Sequence, residues 1–279
     1  MPFCFSVARS NHKRRERSKN RSLQIPVSAP AQPRTVVFEA APISYSQTRV
    51  LQLEPGYLQK TLVVAALEDD AAGQSRMAYK MLRTQALQCM VAKGWNTLGV
   101  TSPGPDQGKT LTSVNLAVSI AKAQHHTVLL VDLDMRKPSV CHYFDCTPEN
   151  GIEDHFLHGT PLKKILLNPG IDRLVVLPTK APITNSAELL ASPRMAELVR
   201  ELKERYPSRL VLFDLPPMLA GDDVLAFSPN LDAILMVIKD GATRKKDLAK
   251  AMELLKDANI LGTVLNDANE DVASYYYHY

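Results

Sequence analysis

The sequence predicts an α/β protein built on a doubly wound, mostly parallel β-sheet. Six short segments are almost continuously apolar, as expected for parallel strands that are covered on both faces. Longer amphipathic segments, in which apolar residues recur every three or four positions, separate them and predict helices. Strands and helices that alternate in this way form parallel sheets with helices packed on both sides.

All of these elements fall between residues 73 and 267, which are predicted to form the folded domain. The strands are predicted at 97–101, 128–131, 174–177, 210–213, 233–238 and 261–265. The helices are predicted at 74–92, 109–123, 187–205 and 244–257.

The remaining segments differ in composition. Residues 1–25 are predicted to be a disordered basic arm, because seven Lys and Arg residues there face one Glu, a local net charge of +6. Residues 26–72 are rich in Pro and Ala and are predicted to be a linker or a peripheral lead-in. Residues 268–279 form a tail that ends in a tyrosine cluster.

Charge and composition exclude several classes of protein. The chain carries a net charge of +4, so the part outside the arm is slightly acidic, which argues against a folded domain that binds nucleic acid specifically. The apolar runs are far shorter than the roughly 20 residues that cross a bilayer, which argues against an integral membrane protein. Four cysteines without CxxC spacing predict reduced thiols, not a disulfide framework or a zinc site.

A loop of small residues joins the first predicted strand to the following helix. It reads TSPGPDQGKT over residues 101–110. Backbone N–H groups and the helix N-terminus in such a loop cradle phosphates, while Lys109 reaches the terminal phosphates and the Thr110 hydroxyl binds Mg²⁺. Pro103 replaces the first glycine of the strict motif, so the loop alone does not establish a nucleotide site. The candidate nucleotide-binding residues are Gly104, Pro105, Asp106, Gln107, Gly108, Lys109, Thr110 and Leu111.

Carboxylates follow two of the predicted strands. Asp132 and Asp134 end one strand, and Asp214 ends another. A single Asp after a strand is more often a turn or capping residue. Because open α/β sheets bind ligands at the carboxyl ends of their strands, three carboxylates beside a Gly-Lys-Thr loop favour a Mg²⁺-nucleotide site.

Together these motifs resemble the bacterial tyrosine kinases of capsule and exopolysaccharide synthesis, which are relatives of the deviant Walker ATPases that position septa and plasmids. The resemblance covers about residues 75–279 and includes YKMLRT at 79–84, DMRKPS at 134–139, ELLAS at 188–192 and the tyrosine cluster. The sequence is most similar to stand-alone cytoplasmic autokinases of exopolysaccharide systems.

The resemblance implies a P-loop NTPase fold of the deviant Walker type and transfer of phosphate from ATP to tyrosines on neighbouring copies. The implied catalytic residues are Lys109, Asp132, Asp134 and Asp214, with Asp132 favoured over Asp134 as the base. The implied Mg²⁺ ligands are Thr110, Asp132 and Asp214. The implied phosphoacceptors are Tyr275, Tyr276, Tyr277 and Tyr279.

Partners are also implied by the resemblance. Lys80 and Arg83 lie where the family has oligomer contacts. The protein is expected to be cytoplasmic and to reach the inner membrane through a membrane-embedded chain-length determinant, with a phosphotyrosine phosphatase as a further partner. Met77 and Lys80 replace a Glu and an Arg of the family's ring-forming motif, so a Lys point charge stands in place of the bidentate Arg fork and the Glu is absent.

Two other functions stay open at this point. The first is a nucleotide-switched positioning ATPase, but Gly104 occupies the place of that group's additional Lys, and such proteins have no tyrosine tail. The second is a pseudokinase that binds nucleotide and acts by assembly. It is suggested by Asp106, which replaces a usual glycine of the family and could repel phosphates.

Overall fold

The computed structural model describes residues 3–8, 48–53, 56–67, 73–123, 126–204 and 209–268. These residues form one nine-stranded sheet with the strand order β1-β9-β8-β3-β7-β4-β6-β5-β2. Every neighbouring pair is parallel except β5 and β6. The strands are β1 Phe3–Ala8, β2 Arg49–Val50, β3 Thr97–Thr101, β4 Thr127–Asp132, β5 Leu167–Asn168, β6 Leu174–Leu177, β7 Arg209–Asp214, β8 Ala233–Lys239 and β9 Ile260–Ala268.

Helices cover both faces of this sheet, so the predicted fold class is confirmed. The six predicted strands appear as β3, β4, β6, β7, β8 and β9. The helices are α1 Tyr57–Lys60, α2 Gly73–Lys93, α3 Lys109–Lys122, α4 Ile152–His158, α5 Ser186–Leu190, α6 Pro193–Glu204, α7 Asp223–Phe227 and α8 Lys245–Leu254. No helix in the described ranges is both long and apolar enough to cross a membrane.

The prediction of a single helix at 187–205 is wrong, because the structure has two helices there, α5 and α6. Pro193 begins α6, and the residue before a proline avoids helical backbone angles. The Ser192 hydroxyl accepts a hydrogen bond from the Met195 N–H at 3.2 Å and so caps the new helix.

The central strands are buried on both faces. Along β4, Val128 and Leu130 point into the core beneath α2 and α3, whereas Leu129 and Val131 point into the core beneath α6 and α8. All four side chains are at most 1% exposed. Because a fully buried Val or Leu contributes about 1.5–3 kcal/mol, both faces of each strand must be apolar, which explains the continuous apolar runs of the sequence.

The segment before α2 packs against the domain. Residues 48–53 include strand β2, and residues 56–67 cross α3 and bury Val63 completely. Residues 26–72 were predicted to be either a linker or a peripheral lead-in. The described part of this range is a packed lead-in. Residues 3–8 form strand β1 beside β9, so these six residues differ from the disordered arm that was expected. Residues 9–47 and 269–279, with the basic block and the tyrosine cluster, lie outside the described residues.

Strand order places the candidate carboxylates side by side. Strand β7 lies between β3 and β4, and Asp132 of β4 pairs in register with Asp214 of β7. The loop of small residues at 101–110, called the phosphate loop below, follows β3, which is the other neighbour of β7. Therefore the loop and the carboxylates meet at the carboxyl ends of the parallel strands, called the carboxyl edge of the sheet below.

The amino ends of the parallel strands form the opposite side of the sheet, called the amino edge below. Asp232, just before β8, connects several elements there. Its carboxylate accepts hydrogen bonds from the N–H groups of Asn96 and Thr97 at 2.9 and 3.0 Å, and it pairs with Lys203 of α6. Partial burial alone would raise the pKa of Asp232, but the hydrogen bonds from Lys203, Asn96 and Thr97 outweigh it and lower the pKa below its usual value. This carboxylate therefore ties the starts of β3 and β8 to α6.

We predict that Asp232→Asn lowers the free energy of unfolding by about 1 kcal/mol at pH 7, a value reduced for partial exposure. Because the folded pKa is lowered, the stabilisation is complete above the unfolded pKa and is lost as the pH falls through the folded pKa. In urea unfolding, the difference in the free energy of unfolding between Asp232→Asn and the wild type should be smaller at pH 3 than at pH 7. Asp257→Asn, at an exposed position, is the control, and an equal loss for both variants would contradict the prediction.

Candidate functional site

The phosphate loop has a backbone shape that depends on Gly108. This residue has φ +86° and immediately precedes α3. A Cβ atom there would lie 2.0 Å from Nδ2 of Asn266, which itself donates a hydrogen bond to the Gln107 carbonyl at 3.1 Å. The positive φ favours glycine, and a side chain at this position would displace the Asn266 amide, through which the end of β9 braces the loop. The loop thus encloses the N-terminus of α3, where backbone N–H groups favour an anion.

The Lys109 ammonium lies among the predicted carboxylates. Its Nζ atom is 2.7 Å from Oδ2 of Asp134 and 3.6 Å from Oδ2 of Asp214. The Thr110 hydroxyl donates to Oδ2 of Asp214 at 2.7 Å, and the Ser113 hydroxyl donates to Oδ1 at 2.9 Å. Both oxygens of the buried Asp214 carboxylate therefore have partners. Ser113 was missed by the sequence analysis, although it lies one helical turn after Lys109 and so on the same side of α3.

Backbone groups hold the Asp132 carboxylate. Its Oδ2 atom accepts hydrogen bonds from the N–H groups of Ser139 and Val140, both at 2.9 Å. The N–H of Asp134 donates to Oδ1 at 3.2 Å. These donors follow β4 closely in the chain. Their hydrogen bonds therefore hold the segment after the strand against the Asp132 carboxylate.

Burial and charge shift the pKa values of this cluster. Burial, together with repulsion from Asp214, raises the pKa of Asp132 to about 8, although hydrogen bonds from Val140 and Ser139 oppose the rise. Burial likewise raises the pKa of Asp214, against the attraction of Lys109. Burial would lower the pKa of Lys109, but attraction to Asp214 and Asp134 outweighs it and raises the pKa. Lys109 is therefore a cation over the whole neutral range, whereas burial favours the protonated form of Asp132.

A cleft of about 630 Å³ opens above this cluster. Its size is within the range of small-molecule sites. The predicted residues that line it are Pro105, Asp106, Gly108, Lys109, Thr110, Leu111 and Asp134. Asp132 and Asp214 lie beneath it at 1% and 0% exposure. Gln107 is buried in the loop, and Gly104 does not line the cleft although it belongs to the loop.

Several residues that line the cleft were not predicted. Lys239, Asn266 and Asp267 come from the ends of β8 and β9, where strand-end position was an available signal. Arg136 lines the cleft and pairs through Nη2 with Oδ2 of Asp223 at 2.9 Å. Leu62, from the lead-in, lines it as well, and no sequence motif marks that residue.

The predicted oligomer contacts lie on α2. Lys80 is exposed. Arg83 is half-buried and donates a hydrogen bond to the Ser119 carbonyl of α3 at 3.1 Å, so it has a partner within its own chain. Met77, beside them on this helix, is an exposed apolar side chain.

Comparisons with known proteins agree with this geometry. The sequence profile of the CobQ/CobB/MinD/ParA nucleotide-binding domain matches residues 98–276. The tyrosine-protein kinase YwqD of Bacillus subtilis (strain 168) is 34% identical over 204 residues, which cover 72% of this chain and 84% of YwqD. The chain belongs to the bacterial tyrosine kinases. The predicted family and its nucleotide-binding P-loop domain are thereby confirmed.

Other bacterial tyrosine kinases are similar over most of the domain. The putative kinase CapB of Staphylococcus aureus is 31% identical over 66% of this chain and 80% of CapB. The kinase Etk of Escherichia coli (strain K12) is 30% identical over 71% of this chain but only 27% of Etk, so the chain spans about a quarter of that longer protein.

Solved structures of this family superpose on the fold. The kinase domain of Escherichia coli Etk has a TM-score of 0.65 and 28% identity, covering 79% of this chain and 89% of that domain. MinD of Pyrococcus horikoshii, a septum site-determining protein, has a TM-score of 0.53 at 21% identity, covering 61% of this chain and 70% of MinD. The positioning ATPases are therefore related to this bacterial tyrosine kinase by fold.

We predict that Asp106→Gly strengthens binding of ADP by about fivefold. Asp106 is exposed at the cleft with φ +57°, so the change removes a negative charge near the bound phosphates, worth about 1 kcal/mol at a solvent-exposed position. Titration calorimetry measures the dissociation constant.

Asp145→Gly is the matched control, because Asp145 also has a positive φ, 48°, but does not line the cleft. Both variants relieve backbone strain, and only Asp106→Gly should change ADP binding. Equal or weaker ADP binding by Asp106→Gly would show that this carboxylate does not oppose the phosphates.

Proposed function

We propose that this chain is an ATP-dependent protein-tyrosine kinase that phosphorylates its tyrosine tail between neighbouring copies and so regulates exopolysaccharide or capsule polymerisation and export. The observation that carries the proposal is the position of Lys109. Its ammonium lies at the N-terminus of α3, within 2.7 Å of Asp134 and 3.6 Å of Asp214, in a chain that belongs to the bacterial tyrosine kinases.

Nucleotide binding follows from the loop and the ammonium. The N–H groups of the loop and of the first turn of α3 bind phosphate oxygens, and Lys109 neutralises negative charge that grows on the transferred phosphoryl group. A bound phosphate would compete with Asp134 for the Lys109 ammonium. In the proposed reaction, Lys109 therefore exchanges one anionic partner for another at little cost.

The residues of the cluster fit Mg²⁺. The oxygens of Thr110 and Asp214 lie 2.7 Å apart, and hydroxyl and carboxylate oxygens are the ligands that Mg²⁺ prefers. We propose that these two residues hold the ion, directly or through water, and that the ion neutralises phosphate charge when it is bound. Asp132 is a less direct ligand than expected, because its Oδ2 atom is already engaged by two N–H groups.

Asp132 is the proposed base for the tyrosine hydroxyl. A base works best when its pKa lies near the working pH, and burial raises the pKa of Asp132 to about 8. Asp134 forms the closer ion pair with Lys109, which occupies one of its carboxylate oxygens. Asp134 is therefore proposed to orient Lys109 until phosphate binds.

The proposed acceptors are Tyr275, Tyr276, Tyr277 and Tyr279, which lie outside the described residues. Strand β9 ends at Ala268, directly after two residues that line the cleft. At about 3.3–3.6 Å per residue, the seven residues from Ala268 to the first tail tyrosine span at most roughly 25 Å. This reach is enough for the tail to enter the cleft of an adjacent copy, and we propose that route because entry into the tail's own cleft would require a sharper return of the chain.

Partners are proposed from the resemblance and the comparisons. A chimerical protein, CapA2B2, is similar in structure, with a TM-score of 0.69 and 26% identity over 75% of this chain and 91% of that chain. We propose that this chain assembles through α2, with Lys80 and Arg83 at the contact, and associates peripherally with the inner membrane through a membrane-embedded chain-length determinant. A phosphotyrosine phosphatase would reverse the modification.

Catalysis is tested with Lys109→Met and Asp214→Asn. Each should lower ATP-dependent phosphotyrosine formation by about 100-fold or more, since each removes a group that stabilises the transferred phosphoryl group or its metal ion. Intact mass and anti-phosphotyrosine blotting of purified protein measure the product. Lys250→Ala removes an exposed Lys from α8 and serves as the control. Wild-type rates in both site variants would contradict the proposal, and ATP binding without any product in the wild type would identify a pseudokinase.

The route of transfer is tested by mixing two proteins. One carries Lys109→Met and an intact tail, and the other is active but has Phe at all four tail tyrosines. We expect phosphate on the tail of the inactive partner, because transfer between copies needs only one working cleft. Labelling of the active protein elsewhere, with none on the partner's tail, would refute both the acceptor assignment and the route.

A further inference from the structure

Leu62 has an unusual backbone conformation at the edge of the cleft. Its φ angle is +60°, in the left-handed region that a bulky side chain rarely adopts. Its side chain is 46% exposed and lines the same cleft as Lys109 and Thr110. Strained conformations of this kind persist only where the surroundings fix them, and they concentrate at functional sites.

The surroundings of Leu62 do fix it. We call residues 56–67 the strap. The Tyr57 hydroxyl donates to the His142 carbonyl at 2.9 Å, and the Thr61 hydroxyl lies 3.2 Å from the Tyr143 carbonyl. Val63, the next residue after Leu62, is completely buried. The chain therefore has an anchor on each side of the strained residue.

Asn115 of α3 connects the strap to the phosphate-binding end of the helix. Its Nδ2 atom donates to the carbonyls of Leu62 at 3.1 Å and of Leu111 at 3.0 Å, and its Oδ1 atom accepts the Ala65 N–H at 3.0 Å. Leu111 directly follows Thr110 and also lines the cleft. One buried amide thus holds Leu62 beside the first turn of α3, whereas the catalytic carboxylates follow β4 and β7.

We propose that Leu62 is a nucleotide-positioning residue that contacts the nucleoside part of ATP. This inference rests on the proposed function for the identity of the nucleotide. The phosphates are matched by polar groups of the loop, whereas the nucleoside extends away from the transferred phosphoryl group and presents a flat, largely apolar face. Leu62 offers an exposed apolar surface in the cleft, beside the first turn of α3. The strap precedes the region that the nucleotide-binding profile matches, residues 98–276, so this wall of the cleft comes from a segment upstream of that profile.

The test uses Leu62→Gly in the full chain. Glycine accepts a positive φ without strain, so the variant loses the side chain while its melting temperature stays equal or rises. We expect binding of ADP to weaken about fivefold to tenfold, which corresponds to about 1–1.4 kcal/mol. Binding of inorganic pyrophosphate, which lacks the nucleoside, should change less than twofold. Asn also tolerates this backbone conformation. Leu62→Asn should therefore change the affinities for ADP and pyrophosphate as Leu62→Gly does, and it controls for loosening of the strap by glycine.

Arg173→Gly is the matched control, because Arg173 has φ +66° and does not line the cleft. It should leave the affinity for ADP unchanged. The proposal is overturned if ADP and pyrophosphate weaken equally, or if neither changes. It is also overturned if only the KM for an acceptor tyrosine peptide rises, which would assign the contact to the acceptor. Because binding is measured without phosphoryl transfer, wild-type autophosphorylation tests the proposed kinase function separately.

Discussion

Among the described residues, Lys109 supplies the one positive charge within ion-pair distance of the cluster formed by Asp132, Asp134 and Asp214. If Asp132, Asp134 and Asp214 were all ionised, the cluster would carry a formal charge of −2. Burial makes that state costly, which is why the pKa of Asp132 rises to about 8 and the pKa of Asp214 rises as well. Hydroxyl and backbone donors satisfy the oxygens but add no charge. A further cation near the cluster would therefore favour the ionised carboxylates, and an anion near Lys109 would be attracted to its ammonium.

Topology brings these groups together, and it explains what the sequence could predict. Buried parallel strands are continuously apolar, so the strands that end in Asp132 and Asp214 were visible in the sequence with their carboxylates at a common edge. Their direct pairing in register was not visible, because it depends on β7 lying between β3 and β4. Strand order arises from packing between distant segments, and no local pattern encodes it.

Two asparagines that the sequence analysis missed support the site through tertiary contacts. Asn266 braces Gly108 from more than 150 positions away, and Asn115 binds a strap that composition marked only as a linker or lead-in. The break between α5 and α6 is different, since Pro193 was a visible signal that a longer amphipathic pattern outweighed. The boundaries of helices were thus harder to predict than the helices themselves. Side chains that support the loop and the strap from elsewhere in the chain were harder to predict than the residues of the motifs.

The two edges of the sheet have opposite electrostatic characters. At the amino edge, Asp232 is matched by Lys203 and two N–H donors, which lower its pKa and favour the folded state. At the carboxyl edge, Asp132 and Asp214 have raised pKa values, and positive φ angles are kept at Asp106 and Leu62. Unfavourable conformations and charges persist only where the rest of the fold outweighs them. Asp232 ties the starts of β3 and β8 to α6, and two apolar cores cover both faces of the central strands. A sheet fixed in this way can keep repelling carboxylates in place until a ligand neutralises them.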